Sequence, residues 1–195
     1  MQQALVSSTS STTQPVGMGG FLDPLSIVDQ FGIKDGMKVA DFGSGGGYFA
    51  IYMAERVGSS GKVYALDILE EKLDNLRSKA RSYDLENIET IRTNLEVLGS
   101  SSLPDNSQDL VLLANVLFQS RRQEDIIREG TRILKTKGEF IILDWNKGTG
   151  GFGPPDDLRP SQESIKAVAE RRGLLFSRAL DAGQFHFGLV FNKSK

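Results

Sequence analysis

The chain has 195 residues, 39% hydrophobic and 25% charged, which is enough for one well-buried domain and too short for two comfortable ones. A formal net charge of -2 gives no general attraction to nucleic acid or anionic membrane, so neither is expected as a partner. With no cysteine and a single histidine, disulfides, thiolate nucleophiles and Cys/His zinc sites are excluded, and no metal is expected.

Residues 1–17 carry Ser7 to Thr13, all hydroxyl side chains with nothing to bury, and read as a disordered tail before one domain over 18–195. The start has neither a basic region nor an apolar run of signal-peptide length, and the longest apolar runs are strand-sized, so the expected location is cytoplasmic. Asp23-Pro24 predicts the start of a short helix on which Leu25, Val28 and Phe31 share a face. After a turn over 34–37, Val39 to Phe42 reads as a buried strand, Gly43 to Gly47 as a tight turn, and Tyr48 to Val57 as a helix ended by Gly58. Glycines at 43, 45 and 47 permit positive φ and let a ligand approach the backbone, while the free N–H groups of the helix start attract an anionic or electron-rich group. The dinucleotide fingerprint G-x-G-x-x-G fails because Tyr48 stands at its third glycine, which disfavours a nicotinamide-dependent oxidoreductase.

Lys62 to Leu66 is a second strand ending at Asp67, 24 residues after Gly43, where a carboxylate can accept from both hydroxyls of a ribose. A helix over Leu69 to Tyr83 carries the stripe Leu69, Leu73, Leu76, Ala80 and Tyr83, followed by a strand from Ile88 to Arg92 and by Asn94-Leu95. The polar turn at Leu103 to Asp109 delivers the chain into a buried strand, Leu110 to Ala114, whose end at Asn115 faces the crevice where ligands bind in such sheets. A helix over Glu124 to Leu134, a turn at Thr136-Lys137-Gly138 and a strand from Glu139 to Asp144 come next. The loop from Asn146 to Asp157 contains Gly148, Gly150 and Gly153 at fingerprint spacing, but Pro154-Pro155 prevent a helix from opening there, so it is rejected as a nucleotide site. A helix from Ser161 to Arg172 and a hairpin, Leu174 to Ala179 and Phe185 to Phe191 joined through Asp181-Ala182-Gly183, complete the chain.

Asp41-Phe42-Gly43-Ser44-Gly45-Gly46-Gly47 resembles the first motif of the class I S-adenosylmethionine-dependent methyltransferases. Leu103-Pro104-Asp105-Asn106-Ser107-Gln108-Asp109-Leu110-Val111 is similar to the L-P-x-D-x-S-F-D-x-V stretch of their ubiquinone and menaquinone biosynthesis type, with Gln108 in place of the aromatic. Thr131 to Lys135, followed by Gly138, also matches, and the resemblance covers Phe21 to Asn192. It implies an α/β, Rossmann-like fold: a mostly parallel seven-stranded sheet with a C-terminal antiparallel hairpin and helices on both faces. It implies S-adenosylmethionine as cofactor, held by Asp41, Gly43, Ser44, Gly45, Gly47, Asp67, Ile68, Asn94, Leu95 and Asn115. In the family an acid like Asp41 helps anchor the methionine end. An Asp at the Asn94 position accepts from the adenine amino group, and Asn accepts there more weakly.

The implied acceptor is a small molecule of unidentified structure; a silent cofactor-binding regulatory module, or a protein or RNA methyltransferase, stays open beside it. His186 is a candidate base for an acceptor that must lose a proton, against a strand residue with a satisfied ring. Phe21, Trp145 and Phe152 are rings for stacking on adenine or an aromatic acceptor, against ordinary packing. Arg121-Arg122 and Arg171-Arg172 read as solvated faces.

Overall fold

A computed structural model describes residues 22–194; the tail expected over 1–17 and the ring of Phe21 lie outside the described residues. Seven strands form one sheet in the order β3-β2-β1-β4-β5-β7-β6. They are β1 (Lys38–Phe42), β2 (Lys62–Asp67), β3 (Ile88–Arg92), β4 (Gln108–Ala114), β5 (Leu134–Trp145), β6 (Leu174–Leu180) and β7 (His186–Lys193). The first five are parallel, and β7 inserts antiparallel between β5 and β6. The strand order reverses at β1, so the crevice opens beyond the C-terminal ends of β1 and β4.

Strand alternation splits the apolar residues between two layers. Val39, Val63, Leu110, Leu112 and Ile141 face α1 (Pro24–Val28), α2 (Ala50–Val57) and α3 (Glu70–Ser82). Ala40, Phe42, Leu66, Val111, Leu113 and Phe140 face α4 (Gln123–Ile133) and α5 (Gln162–Arg171). Burial on both faces is why β1 and β4 read as unbroken apolar runs. Helix α4 approaches β5 closely at Gly130, where a Cβ would lie 2.5 Å from the Phe140 ring. Among the described residues no helix is long and apolar enough to cross a membrane.

Several local expectations are corrected. On α1 it is Ile27 and Val28 that are buried, while Leu25 is exposed. The stripe of α3 reduces to Leu73, Leu76 and Ala80: Leu69 is 54% and Tyr83 60% exposed, because they flank the helix rather than belong to it. Helix α2 starts at Ala50, two residues late, because the glycine turn continues through Tyr48. The turn expected at Thr136-Lys137-Gly138 is absorbed into β5, which begins at Leu134. Pairing passes from Gln108↔Leu134 directly to Leu110↔Glu139, and Lys137 takes φ 65°, so the extra residues form a bulge.

Candidate active site

The loop between β1 and α2 is built on three positive φ values, 77° at Gly43, 52° at Gly45 and 84° at Gly47. Gly43 and Ser44 donate to the Leu66 carbonyl at 2.8 and 3.0 Å, which fastens the loop to β2. The three glycines are not equivalent. A Cβ at Gly43 would run into Val116 and one at Gly47 into Leu76, so both are required by packing. A Cβ at Gly45 would meet nothing within 4 Å among the described residues, so of the three it alone leaves open space beside its backbone.

Asp67, at the end of β2, accepts from the Gly45 N–H at 2.8 Å through Oδ2 and from the Leu69 N–H at 2.9 Å through Oδ1. One carboxylate therefore ties the glycine loop to the start of α3. Asp41, on β1, is 1% exposed, and its Oδ2 has no partner among the described residues. Burial, and then the neighbouring charge of Asp67, pushes its pKa up to about 7. Ser44 Oγ and Asn115 Oδ1 are also buried without partners among the described residues. Asn115 sits at the end of β4 with φ 56°, its N–H on the Leu143 carbonyl and its own carbonyl accepting from Gln119 Nε2, each at 2.8 Å.

A cleft of about 420 Å³ brings together Gly43, Gly45, Asp67, Ile68, Asn94, Leu95 and Asn115. Asp41, Ser44 and Gly47 are not in its walls. Its remaining wall includes Lys72, Glu96, Val116, Gln119, Ser120 and Ile126, none of which the sequence singled out. Asn94 is exposed, and its amide oxygen accepts from the Glu96 N–H at 3.0 Å. Leu95 is buried.

The segment after β3 is fixed from α4. Glu129, 0% exposed, accepts from the N–H groups of Gly99 and Ser101 at 2.7 and 3.2 Å and from Arg132 at 2.7 Å. Against the cost of its burial, the bonds from Arg132, Ser101 and Gly99 hold Glu129 down at about 2. Arg132 continues to the Leu103 carbonyl at 2.9 Å. The only signal for this clamp in the sequence was the i,i+3 spacing of the two charges. Asp144, buried at the end of β5, accepts from Leu117 N–H at 3.1 Å and so anchors the single 3-10 turn Leu117–Gln119. Burial raises Asp144 to about 6, opposed by its backbone bonds from Trp145, Leu117 and Phe118.

His186 pairs in register with Trp145 and stacks on it at 4.0 Å, outside the cleft walls. Among the described residues neither ring nitrogen has a partner, and burial, then the nearby Arg159, lowers its pKa to about 4. The Arg159 guanidinium lies over Trp145, 5.7 Å from the ring centroid, and the exposed Phe152 ring lies 5.5 Å from Phe185. Neither ring reaches the cleft. The glycine- and proline-rich loop after β5 is ordered by Arg159, 3% exposed, which donates to the carbonyls of Asn146, Phe152 and Pro154 at 2.5 to 2.9 Å. Arg122 pairs with Asp125, and Arg171 and Arg172 pair with Glu124 on the surface.

Residues 33–172 match the family described as methyltransferase domain. The ubiquinone/menaquinone biosynthesis C-methyltransferase UbiE of Hahella chejuensis is 32% identical over 178 residues, 75% of this chain and 70% of that protein. The protein of the same name from Cronobacter sakazakii is 31% identical over 121 residues, 62% of this chain and 47% of its own length, so the chain spans about half of that relative. The crystal structure of a SAM-dependent methyltransferase from Aquifex aeolicus superposes with a TM-score of 0.79 at 29% identity, covering 88% of this chain and 89% of that one.

Proposed function

Since the chain belongs to the methyltransferase-domain family, as a class I S-adenosylmethionine-dependent methyltransferase of the UbiE type, we propose that it methylates a small molecule in the cytoplasm. The residues present fit the cofactor. Asp41 Oδ2 and Asn115 Oδ1 are orphaned buried acceptors suited to its ammonium group, and Ser44 Oγ is an orphaned hydroxyl beside the same loop. The backbone at Gly45 has open space before it, and Asp67 lines the cleft where ribose hydroxyls would donate. When bound, S-adenosylmethionine supplies an already activated methyl on sulfur. The protein's own task is then alignment and exclusion of water, and positioning alone supplies roughly 7 to 11 kcal/mol in favourable cases.

The observation that carries the small-molecule reading is a second cavity, of about 590 Å³, between the 3-10 turn and the loop after β5. It is lined by Phe118, Gln119, Ser120, Arg121, Gln123, Asp157 and Leu158, and shares Gln119 and Ser120 with the cofactor cleft. That size suits a small molecule. Asp144 fixes the wall the two spaces have in common by holding the Leu117 N–H. The names of the relatives, C-methyltransferases of ubiquinone and menaquinone biosynthesis, support the same class of acceptor. Incubating the protein with methyl-labelled cofactor and a cell extract, then separating by size, is expected to place the label in the low-mass fraction. Label confined to protein or RNA would overturn the small-molecule reading.

The raised pKa of Asp41 gives a pH signature. An unfolded Asp ionises near 4, so the group's contribution to folding is fully present below that pH and is lost as pH rises through about 7. An ammonium beside Asp41 favours the ionised form, and below pH 7 a proton must leave for it to bind. Affinity for S-adenosylhomocysteine is therefore expected to rise from pH 5 to 7, by up to about tenfold per unit, and to level above 7. Asp41→Asn should flatten the profile. Calorimetric titration across this range checks it, and a flat wild-type profile would remove Asp41 from the ammonium contact.

A further inference from the structure

Building on the cofactor site just described, we propose that Glu96, and not Asn94, supplies the acceptor that reads the amino group of adenine, and that Ser120 holds it in place across the cleft. Asn94 is poorly placed for this work. It is exposed, and its amide oxygen is already engaged by the Glu96 N–H at 3.0 Å in a tight turn that Val97 N–H and Ser100 Oγ close onto the Asn94 carbonyl at 3.1 and 2.6 Å. A neutral amide oxygen sharing its lone pairs and open to water is a weak reader of an amine.

Glu96 is half-buried in the same wall. Its Oε1 accepts from Ser120 Oγ at 2.6 Å, a bond that spans the cleft from the segment after β3 to the end of the 3-10 turn. Its Oε2 has no partner within the described residues. The Leu95 N–H is likewise in no hydrogen bond there. A backbone donor and a carboxylate on adjacent residues that line one cleft are the two groups the Watson–Crick edge of adenine calls for: a ring nitrogen that accepts beside an amine that donates. The wall is stiff enough to discriminate, because Glu129 and Arg132 clamp the residues that follow it. The Ser120 bond also fixes the Glu96 side chain before the ligand arrives, so little rotamer freedom is left to lose.

The test compares S-adenosylhomocysteine with its 6-deamino analogue, whose purine keeps the ring nitrogen as an acceptor and lacks only the amine. Calorimetry on the wild-type protein should favour the amino form by at least about tenfold. Glu96→Gln preserves size and one acceptor oxygen and should cut that preference, and Glu96→Ala should reduce it to within about threefold, with thermal melts confirming that both variants are folded. Asn94→Ser, whose hydroxyl can still accept from the Glu96 N–H but is too short to read the base, should leave the preference intact. A preference that survives Glu96→Ala, or one that collapses in Asn94→Ser, overturns the proposal. Failure of the wild-type protein to bind S-adenosylhomocysteine at all would instead strike at the cofactor site on which it rests.

Discussion

Gly45→Val is expected to abolish detectable S-adenosylhomocysteine binding in a protein that remains folded. A Cβ there would meet nothing within 4 Å among the described residues, so the space a side chain enters is the ligand's. Its cost to folding comes from the backbone: φ is 52°, and a β-branched residue held there costs roughly 1 to 3 kcal/mol, against a typical stability of about 5 to 15 kcal/mol. The same change at Gly43 or Gly47 would drive a side chain into Val116 or Leu76 and test packing instead of binding. Calorimetry gives the affinity, and circular dichroism confirms that the fold is retained. Wild-type affinity in folded Gly45→Val would show that the glycine turn is not the cofactor site.

Arg159→Met is expected to separate catalysis from cofactor binding. Methionine keeps much of the buried volume but removes every donor, leaving the carbonyls of Asn146, Phe152 and Pro154 without the guanidinium that gathers them. With bonds to a charged group worth about 1.5 to 3 kcal/mol each and water able to replace some of them, the loop should lose about 2 to 4 kcal/mol of local order. Asp157 and Leu158, one wall of the second cavity, go with it. Methyl transfer to the acceptor found in the extract should fall at least about tenfold, through lost positioning and water exclusion. Affinity for S-adenosylhomocysteine should stay within about 1 kcal/mol, because no residue of 146–159 lines the cofactor cleft. If turnover survives the substitution, the acceptor does not bind against this loop.

Much of the sheet was legible from the sequence, because β1, β2 and β4 are short, largely apolar runs bounded by turn residues, and because Asp41, the glycines and Asp67 occur at spacings set by one βαβ unit. What escaped depends on contacts between distant segments. Nothing local distinguishes Gly45 from Gly43 and Gly47; the difference is that Val116 and Leu76, far along the chain, occupy the space beside the latter two. The loop after β5 looks shapeless by composition, yet a single arginine beyond its prolines gives it a centre. Glu129 and Arg132 read as an ordinary surface pair on a helix until the segment after β3 is folded over them. His186 escaped in the other sense: a lone histidine invites a catalytic role, while its register beside Trp145 sets it one strand beyond β5, away from the cleft.

The two backbone bonds made by Asp67 change what a substitution there can measure. Removing the carboxylate would release the Gly45 N–H and the Leu69 N–H at once, so any loss of affinity would mix a missing ribose contact with the cost of re-forming the loop around the ligand. Only a thermodynamic cycle that pairs the substitution with ligands lacking each ribose hydroxyl would pull the two apart, and the coupling energy it returned would be the ribose's share alone.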